Sequence, residues 1–216
     1  MMKQKKPYFI TFEGPDGAGK TTQIRKVALY LQNKGIPLLL TREPGGSVGA
    51  EEIRSLLVLG DKNRWDAVTE TLLFMAARRD HLTKTIWPAL QHGEWVLSDR
   101  FFDSTLAYQG FGRGENKDIS FNDLKSLYRL VAGDFLPDLT VILDLPVEEG
   151  LNRAKLRADK AERFESMPLA FHENLRQGFL KIAENEPERC VVINADRTEE
   201  EIFEHIKEVL KERLNV

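Results

Sequence analysis

Residues 8–21 of the chain read YFITFEGPDGAGKT. Residues 8–13 have the apolar character of a short buried strand, and residues 14–21 fit the pattern Gly, four residues, Gly, Lys, then Ser or Thr. Residues 20–33 follow with helical spacing and are succeeded by Gly35. A strand, a glycine-rich loop and a helix in this order are typical of a nucleoside triphosphate site, because backbone N–H groups and the positive helix end face one anion. The loop alone does not identify the second substrate.

The remainder of the chain alternates between strand and helix patterns. Apolar runs predict strands at residues 37–41, 95–98, 139–143 and 190–194. Helical patterns cover residues 50–59, 67–82 with a second segment around Pro88, 121–132, 147–157, 169–185 and 199–214. This alternation predicts an α/β fold in three layers, with a five-stranded parallel sheet, helices on both faces and ligands at the carboxyl ends of the strands. We expect the strands to be buried on both faces, and residues 1–216 to form a single domain.

Two segments fit neither pattern. Residues 110–117, GFGRGENK, are predicted to be a glycine-rich loop. Residues 157–165, RADKAERFE, are densely charged and lie between two predicted helices. We expect this second segment to be a mobile flap.

Composition excludes several classes of protein. The 31 Lys and Arg against 34 Asp and Glu give a net charge of -3, which argues against a nucleic-acid binder with a broad basic face. Cys190 is the only cysteine, so no intrachain disulfide can form, and a reducing cytoplasm is expected. The apolar runs are too short to cross a bilayer, which predicts no membrane partner. The four histidines have no metal-ligand spacing, and we expect them to have surface or packing roles.

Further stretches carry a more specific resemblance. Residues 12–22 (FEGPDGAGKTT), 41–46 (TREPGG), 73–78 (LFMAAR) and 98–109 (SDRFFDSTLAYQ) occur in the order found in thymidylate kinases. Residues 137–144 (PDLTVILD) and the flap ending 163–165 (RFE) extend the match over nearly the whole chain. The sequence therefore resembles the bacterial type of this family of P-loop nucleoside monophosphate kinases. The resemblance implies transfer of a phosphoryl group from ATP to dTMP, with Mg²⁺ as cofactor, in a homodimer.

The resemblance also implies residues for dTMP. They are Asp16 for the sugar 3′ hydroxyl, Arg42 beside the monophosphate, Arg100 on the phosphate, Tyr108 against a ribose 2′ hydroxyl, Ser104 in the same segment, and Phe74, Arg78, Thr105 and Gln109 around thymine. Helical spacing independently places Phe74 and Arg78, four residues apart, on one face. From the residues alone, that pair is more often a core phenylalanine beside a surface arginine, and Asp99 with Arg100 also fits a surface ion pair.

ATP is expected to bind at the loop and the start of its helix, that is at Gly14, Pro15, Asp16, Gly17, Ala18, Gly19, Lys20, Thr21 and Thr22. Lys20 provides a charge for the phosphates, and Thr21 with Asp99 is predicted to hold Mg²⁺, directly or through water.

Thymidylate kinases have a catalytic arginine either in the phosphate loop or in the lid. Gly17 stands at the position of the loop arginine, so the resemblance places the catalytic arginine of this chain in the lid, residues 153–165. Arg153 and Arg157, with Lys20 and Arg100, are the predicted catalytic residues. At the end of the lid, Glu162 replaces the usual Asp, so the roles of Arg163 and Glu165 stay open.

Two alternatives stay open at this point. Another P-loop nucleoside monophosphate or deoxynucleoside kinase would share Lys20, Thr21 and a basic lid. A nucleotide-binding regulator without turnover would also share the loop. A GTPase is disfavoured, because residues 116–118 only approach the Asn-Lys-x-Asp guanine motif.

Overall fold

The computed structural model describes residues 6–61, 64–112, 118–155, 164 and 166–216. Five parallel strands form one sheet in the order β2-β3-β1-β4-β5. They are β1 Phe9–Glu13, β2 Leu38–Arg42, β3 Trp95–Asp99, β4 Leu139–Asp144 and β5 Cys190–Asn194. The predicted parallel five-stranded sheet is confirmed, and every predicted strand is present to within a residue at its ends.

The helices follow the predicted order. They are α1 Lys20–Asn33, α2 Val48–Val58, α3 Ala67–His81, α4 Trp87–Gln91, α5 Phe102–Thr105, α6 Phe121–Ala132, α7 Val147–Lys155, α8 Leu169–Asn185 and α9 Glu199–Leu214. Two π-helical segments join neighbours without a break: π1, Leu82–Ile86, continues α3 into α4, and π2, Leu106–Gly112, continues α5. The predicted extension of α7 to residue 157 lies outside the described residues.

Local signals explain several helix starts. The Asp66 carboxylate accepts hydrogen bonds from the backbone N–H groups of Val68 and Thr69, which caps α3. Capping boxes start α6 at Ser120 and α9 at Thr198. These caps satisfy first-turn N–H groups that the helices themselves leave without partners.

The sheet carries an apolar core on each face. Phe9 belongs to the core that α3, α6 and α8 cover, whereas the next residue, Ile10, belongs to the core that α1 and α9 cover. This alternation follows from the two-residue period of a strand. In the part of the chain that the structure describes, no helix is both long and apolar enough to cross a membrane.

The expectation that all strands are buried on both faces is wrong for the two edge strands. β1, β3 and β4 are almost completely buried, but Leu40 of β2 is 43% exposed and Val192 of β5 is 41% exposed. Each edge strand has a neighbour on one side only, and the helices on the faces cover it incompletely. Apolar character along a strand therefore did not distinguish a central strand from an edge strand.

The prediction of a loop from residue 110 is also wrong in part, because residues 110–112 belong to π2. A Cβ at Gly110 would lie 2.7 Å from the Phe121 ring, and one at Gly112 would lie 2.8 Å from the Phe171 ring. These glycines let aromatic side chains pack directly on the helix backbone. That packing offsets the low helix propensity of glycine, which had suggested a loop. Residues 113–117 lie outside the described residues.

Candidate active site

The phosphate loop lies between β1 and α1 at the carboxyl edge of the sheet. Gly14 has φ +126° and Gly17 has φ +84°, conformations that favour glycine. A Cβ at Gly14 would collide with the carbonyl oxygen of Leu143, and one at Gly17 would collide with the carbonyl of Gly150. The loop is therefore fixed between the end of β4 and α7, and both contacts exclude a side chain.

The start of α1 suits an anion. Among the described residues, no side chain caps this helix at Gly19, which has φ +86°. The N–H groups of the first turn therefore face the loop without a side-chain acceptor, and the positive end of the helix dipole adds to their field. Of residues 14–22, predicted to bind ATP, residues 14–19 form the loop and residues 20–22 begin α1.

Lys20 is buried beneath the loop. Its Nζ donates to the backbone carbonyls of Gly14, at 3.1 Å, and Pro15, at 2.7 Å. Burial lowers the pKa of Lys20, and the charge of Arg100 lowers it further, against the opposing effect of Asp16 and other carboxylates, to about 8. The ammonium group thus lies within the loop that is predicted to hold the phosphates.

The structure brings Thr21 and Asp99 together. The Thr21 hydroxyl donates to the Asp99 carboxylate at 2.7 Å, joining the first turn of α1 to the end of β3. A hydroxyl and a carboxylate provide the oxygen ligands that Mg²⁺ prefers. Among the described residues, no cluster of three or more His, Cys, Asp or Glu side chains could hold a metal by itself. The chemistry of this pair fits an ion that is held partly by its nucleotide.

Arg100 follows β3 and crosses the mouth of the site. Its backbone has φ +71°, a conformation that is uncommon for a residue with a side chain. One terminal nitrogen donates to the Gly14 carbonyl at 3.1 Å and to Ser104 Oγ at 2.9 Å, and the other donates to Asp16 at 2.8 Å and to Tyr108 Oη at 3.0 Å. The guanidinium plane is therefore held rigidly at the carboxyl edge of the sheet.

Asp16 of the phosphate loop contacts two side chains, Arg100 and Tyr108. Besides the ion pair with Arg100, it accepts a hydrogen bond from the Tyr108 hydroxyl at 2.9 Å. Burial alone would raise the pKa of Asp16, but the charges of Arg100 and Lys20 and these hydrogen bonds hold it well below its ordinary value. The carboxylate is thus ionised at neutral pH, and it fixes the Tyr108 hydroxyl against the loop.

Arg78 lies deeper, on α3. Its guanidinium is 2% exposed, and its Nε and Nη2 each lie 2.8 Å from Oε2 of Glu43. Nη2 also donates to Thr105 Oγ1 at 3.0 Å. The surface position that the residues alone allowed for Arg78 is therefore wrong. Arg78 is a buried cation that joins α3 to α5.

Phe74, one turn before Arg78, is half-buried. Its ring lies 6.5 Å from that of Phe164, which packs edge-on against Tyr108 at 5.3 Å. Three aromatic rings therefore line the space between α3 and π2. Flat aromatic surfaces of this kind suit stacking against a base.

Gln109 is buried, and its side-chain amide donates to Glu70 at 3.1 Å. Glu70 is itself fully buried on α3. The predicted helical pairs thus have different partners: Ser104 and Tyr108 both contact Arg100, whereas Thr105 contacts Arg78 and Gln109 contacts Glu70.

The side chain of Arg42 is more exposed than those of Asp16, Arg78 and Arg100, the other predicted dTMP residues that form ion pairs. It ends β2 and pairs with Glu51 of α2 at 3.1 Å. Sequence reasoning missed its neighbour Arg54, whose guanidinium donates to the Pro44 carbonyl at 2.7 Å. Burial lowers the pKa of Arg54, and the positive charges of Arg42 and Arg100 lower it further. These three arginines therefore concentrate positive charge at one edge of the site.

The predicted lid residues are only partly described. Arg153 of α7 donates to Glu149 at 2.6 Å and to the Ala195 carbonyl at 3.3 Å. Glu149 lies one turn earlier on α7, and Ala195 directly follows β5. Neither partner belongs to the Arg100 network. Arg157, Arg163 and Glu165 lie outside the described residues.

Sequence reasoning also missed the supports of this site. Glu13 is fully buried and accepts hydrogen bonds from Phe101 N, at 2.7 Å, and from Ser104 Oγ. Burial raises the pKa of Glu13, and the nearby Asp103 raises it further. Because these contacts flank Arg100, they hold its unusual backbone in place. In the sequence, Glu13 follows an apolar run and therefore indicates only the end of the predicted strand.

A second support lies below the sheet edge. Asp103 and Arg189 form a buried fork with two N–O distances of 2.7 Å, and Thr140 accepts from the same guanidinium at 2.8 Å. This pair ties α5, which carries Ser104 and Thr105, to β4 and to the start of β5. No sequence signal connected two residues so far apart in the chain.

Comparison with protein families gives one result over most of the chain. The family model described as "Thymidylate kinase" matches residues 12–206. A thymidylate kinase of Caulobacter vibrioides is 52% identical over 209 residues, covering 97% of this chain and 98% of that protein. One from Rhodopseudomonas palustris is 50% identical, covering 99% of this chain and 95% of that protein.

Comparison with solved structures agrees. A crystal structure of thymidylate kinase from Ehrlichia chaffeensis superposes with a TM-score of 0.73 at 36% sequence identity. The match covers 94% of this chain and 98% of that one.

Proposed function

The chain belongs to the thymidylate kinase family, and we propose that its described residues form the site at which ATP phosphorylates dTMP. The observation that carries the assignment of the site is the convergence of Lys20, Arg100 and Arg78 on one edge of the sheet. The three residues belong to α1, to the end of β3 and to α3. They provide in turn a cation for ATP, a cation for the acceptor phosphate and a buried donor for a base.

On the donor side, residues 14–22 wrap the ATP phosphates. The N–H groups of the loop and of the first turn of α1 donate to phosphate oxygens, and Lys20 turns from its carbonyl partners to the same oxygens. Thr21 and Asp99 would hold Mg²⁺, directly or through water, and the bound ion would neutralise charge on the phosphates.

On the acceptor side, Arg100 binds the phosphate of dTMP, with Arg42 and the newly identified Arg54 beside it. A phosphate monoester has a second pKa of about 6 and is largely a dianion at neutral pH, so no protein base is needed to activate it. What these residues provide is the alignment of two anions that repel each other, and the stabilisation of the transferring group.

Thymine stacks on Phe74 and accepts hydrogen bonds from Arg78, with Thr105 and Gln109 completing the base site. Asp16 binds the sugar 3′ hydroxyl, while the Tyr108 ring occupies the space of a ribose 2′ hydroxyl. Ser104 fixes Arg100 in this arrangement. The pocket thereby selects a deoxyribonucleotide through steric exclusion.

The lid, residues 153–165, provides catalytic arginines, with Arg157 as the candidate that closes over the phosphates and Arg153 at its base. The contact between Gly17 and Gly150 supports this lid-arginine type, because it leaves no room for a side chain at position 17. The transition-state charge then needs a cation from elsewhere, and the lid contains Arg153, Arg157 and Arg163.

We also propose a homodimer that works in the cytoplasm, where ATP is the common phosphoryl donor. Leu56 of α2 and Val68 and Leu72 of α3 are between 37% and 49% exposed and lie on two helices that pack together. A second copy of this face would cover them in a two-fold interface. Light scattering at micromolar concentration would give twice the chain mass if this is correct, and the chain mass if it is not.

The proposed roles are tested by substitution in a coupled assay of ADP release. Lys20→Ala should reduce kcat about a thousandfold, because a charge aimed at the transferring group is lost. Arg100→Ala should raise the KM for dTMP at least tenfold with less effect on the KM for ATP. Arg129→Ala, on the exposed face of α6, is the matched control and should change neither. An Arg100→Ala enzyme with unchanged dependence on dTMP would remove Arg100 from the acceptor site.

A further inference from the structure

A chain of buried polar contacts lies behind Arg78. His81, one turn further along α3, is fully buried, and its Nδ1 lies 3.0 Å from Oε1 of Glu43. On the other side of the ring, Nε2 lies 2.6 Å from Thr41 Oγ1. The chain of contacts therefore runs from Thr41 through His81 and Glu43 to Arg78 and Thr105.

The two oxygens of Glu43 have different partners. Oε2 faces Nε and Nη2 of Arg78, while Oε1 faces His81. A carboxylate held at both oxygens cannot rotate without breaking a charge-assisted hydrogen bond in a buried site, where such bonds are strong. The imidazole thus fixes the orientation of the anion that orients Arg78.

The guanidinium of Arg78 is constrained on its remaining sides as well. Its Cζ lies over the Phe101 ring, 5.1 Å from the centroid, and over the Phe102 ring, 5.6 Å from the centroid. The contact found for Nη1 is with Met75 Sδ at 3.6 Å, and a thioether is a weak acceptor. Nη1 is therefore the nitrogen with donors to spare for a ligand, and its direction follows from the contacts that hold the other two nitrogens.

The loop that follows Glu43 leaves room for this arrangement. A Cβ at Gly46 would collide with Nε2 of His81 and with Oγ1 of Thr41, the two atoms of their hydrogen bond. Gly46 has φ +86°, which a side chain would also disfavour. Both features keep the Thr41 to His81 contact intact.

We propose that His81 is a positioning residue for nucleoside binding: by holding Glu43, it fixes Arg78 so that Nη1 meets the base. The inference rests on the proposed contact of Arg78 with thymine. The hydrogen-bonding partners of His81 are Thr41 and Glu43, not residues 14–22 of the proposed ATP site, so its effect should appear in the KM for dTMP. The KM for ATP and kcat at saturating dTMP should be nearly unchanged.

The test compares two anchors of the same loop. Thr85 Oγ1 donates to the Gly46 carbonyl at 2.7 Å, which secures the loop without touching Glu43. His81→Leu should raise the KM for dTMP about tenfold, as expected for one lost hydrogen bond to a charged group. Thr85→Val is the matched control and should shift that KM less than about twofold while lowering Tm comparably.

Two milder variants keep the test informative if His81→Leu does not fold. His81→Asn retains a donor near the position of Nδ1 and should restore most of the affinity for dTMP. Thr41→Val removes the contact on the other side of the ring and should raise the KM for dTMP a few-fold. If Thr41→Val leaves the KM for dTMP unchanged while lowering Tm, His81 is a packing residue and the inference is overturned.

A double-mutant comparison separates this inference from the function it rests on. In an Arg78→Ala background, Thr41→Val should cause no further increase in the KM for dTMP, and neither should His81→Leu. If Arg78→Ala raises that KM and the second change multiplies it further, the positioning role is wrong and the base contact survives. If Arg78→Ala leaves the KM unchanged, the proposed base contact is wrong and the inference fails with it.

Discussion

Two glycines in the phosphate loop offer a matched pair of substitutions. Gly17 and Gly19 have nearly the same backbone conformation, with φ +84° and +86°. A Cβ at Gly19 has no heavy atom within 4 Å, whereas one at Gly17 would lie 2.8 Å from the carbonyl carbon and 2.9 Å from the Cα of Gly150, and closer still to its carbonyl oxygen. The pair therefore separates backbone strain from the contact between the loop and α7.

The expected magnitudes follow from that geometry. Alanine at either position costs about 1–2 kcal/mol for the left-handed conformation. At Gly17 the loop and α7 must also move apart, and overpacking of this kind costs a further ~1–3 kcal/mol. Gly17→Ala should therefore be less stable than Gly19→Ala by about 1–3 kcal/mol, which corresponds to roughly 2–4 °C in Tm for each kcal/mol in a chain of this size.

The measurement is equilibrium urea denaturation of both variants and the parent without nucleotide, with midpoints compared at unchanged m-values. Equal destabilisation of the two variants would show that α7 does not close against the loop. Position 17 would then have room for a side chain, and the structural support for a catalytic arginine in the lid would be lost.

The other predictions concern the sugar, pH and the support beneath α5. Tyr108→Phe should keep the preference of the enzyme for dTMP over the corresponding ribonucleotide, because the ring remains. Tyr108→Ala should lose most of that preference. Equal selectivity of the two variants in competition assays would show that other residues recognise the sugar. Because the pKa of Lys20 is lowered to about 8, the free enzyme loses the positive charge of Lys20 as the pH rises through 8. The kcat/KM for ATP should therefore fall above that pH. A kcat/KM profile that is flat to pH 9.5 would contradict this prediction. Removing one partner of the buried fork, in Arg189→Met, should cost about 3–5 kcal/mol of unfolding free energy, whereas a loss below 1 kcal/mol in urea denaturation would show that Asp103 is not held by this pair.

The fold could be predicted because its elements follow local patterns. The helices over residues 20–33, 121–132, 169–185 and 199–214 have the predicted bounds, since apolar spacing runs through all four. Capping boxes begin the second and the fourth of them. The errors arose where tertiary packing outweighs local preference. Glycines in π2 accept aromatic rings on a helix backbone, and apolar side chains in β2 and β5 lie at the edges of the sheet.

The phosphate loop could be read from the sequence because a short continuous stretch contains its residues. The contacts that hold the site in place could not. Glu43 and His81 are 38 residues apart, and Asp103 and Arg189 are 86 apart. Each of these residues alone fits an ordinary surface or packing role. Only the fold shows that they meet as buried pairs behind Arg78 and α5.

The acceptor specificity tests the central claim most directly. ADP production from ATP and Mg²⁺ would be measured with dTMP, dUMP, UMP, dGMP, AMP and thymidine as acceptors. We predict a strong preference for dTMP, with UMP and thymidine turned over poorly. A preference for another monophosphate would leave the fold and the phosphate chemistry intact but contradict the base site at Phe74 and Arg78. No turnover with any acceptor would contradict the account of this chain as a kinase.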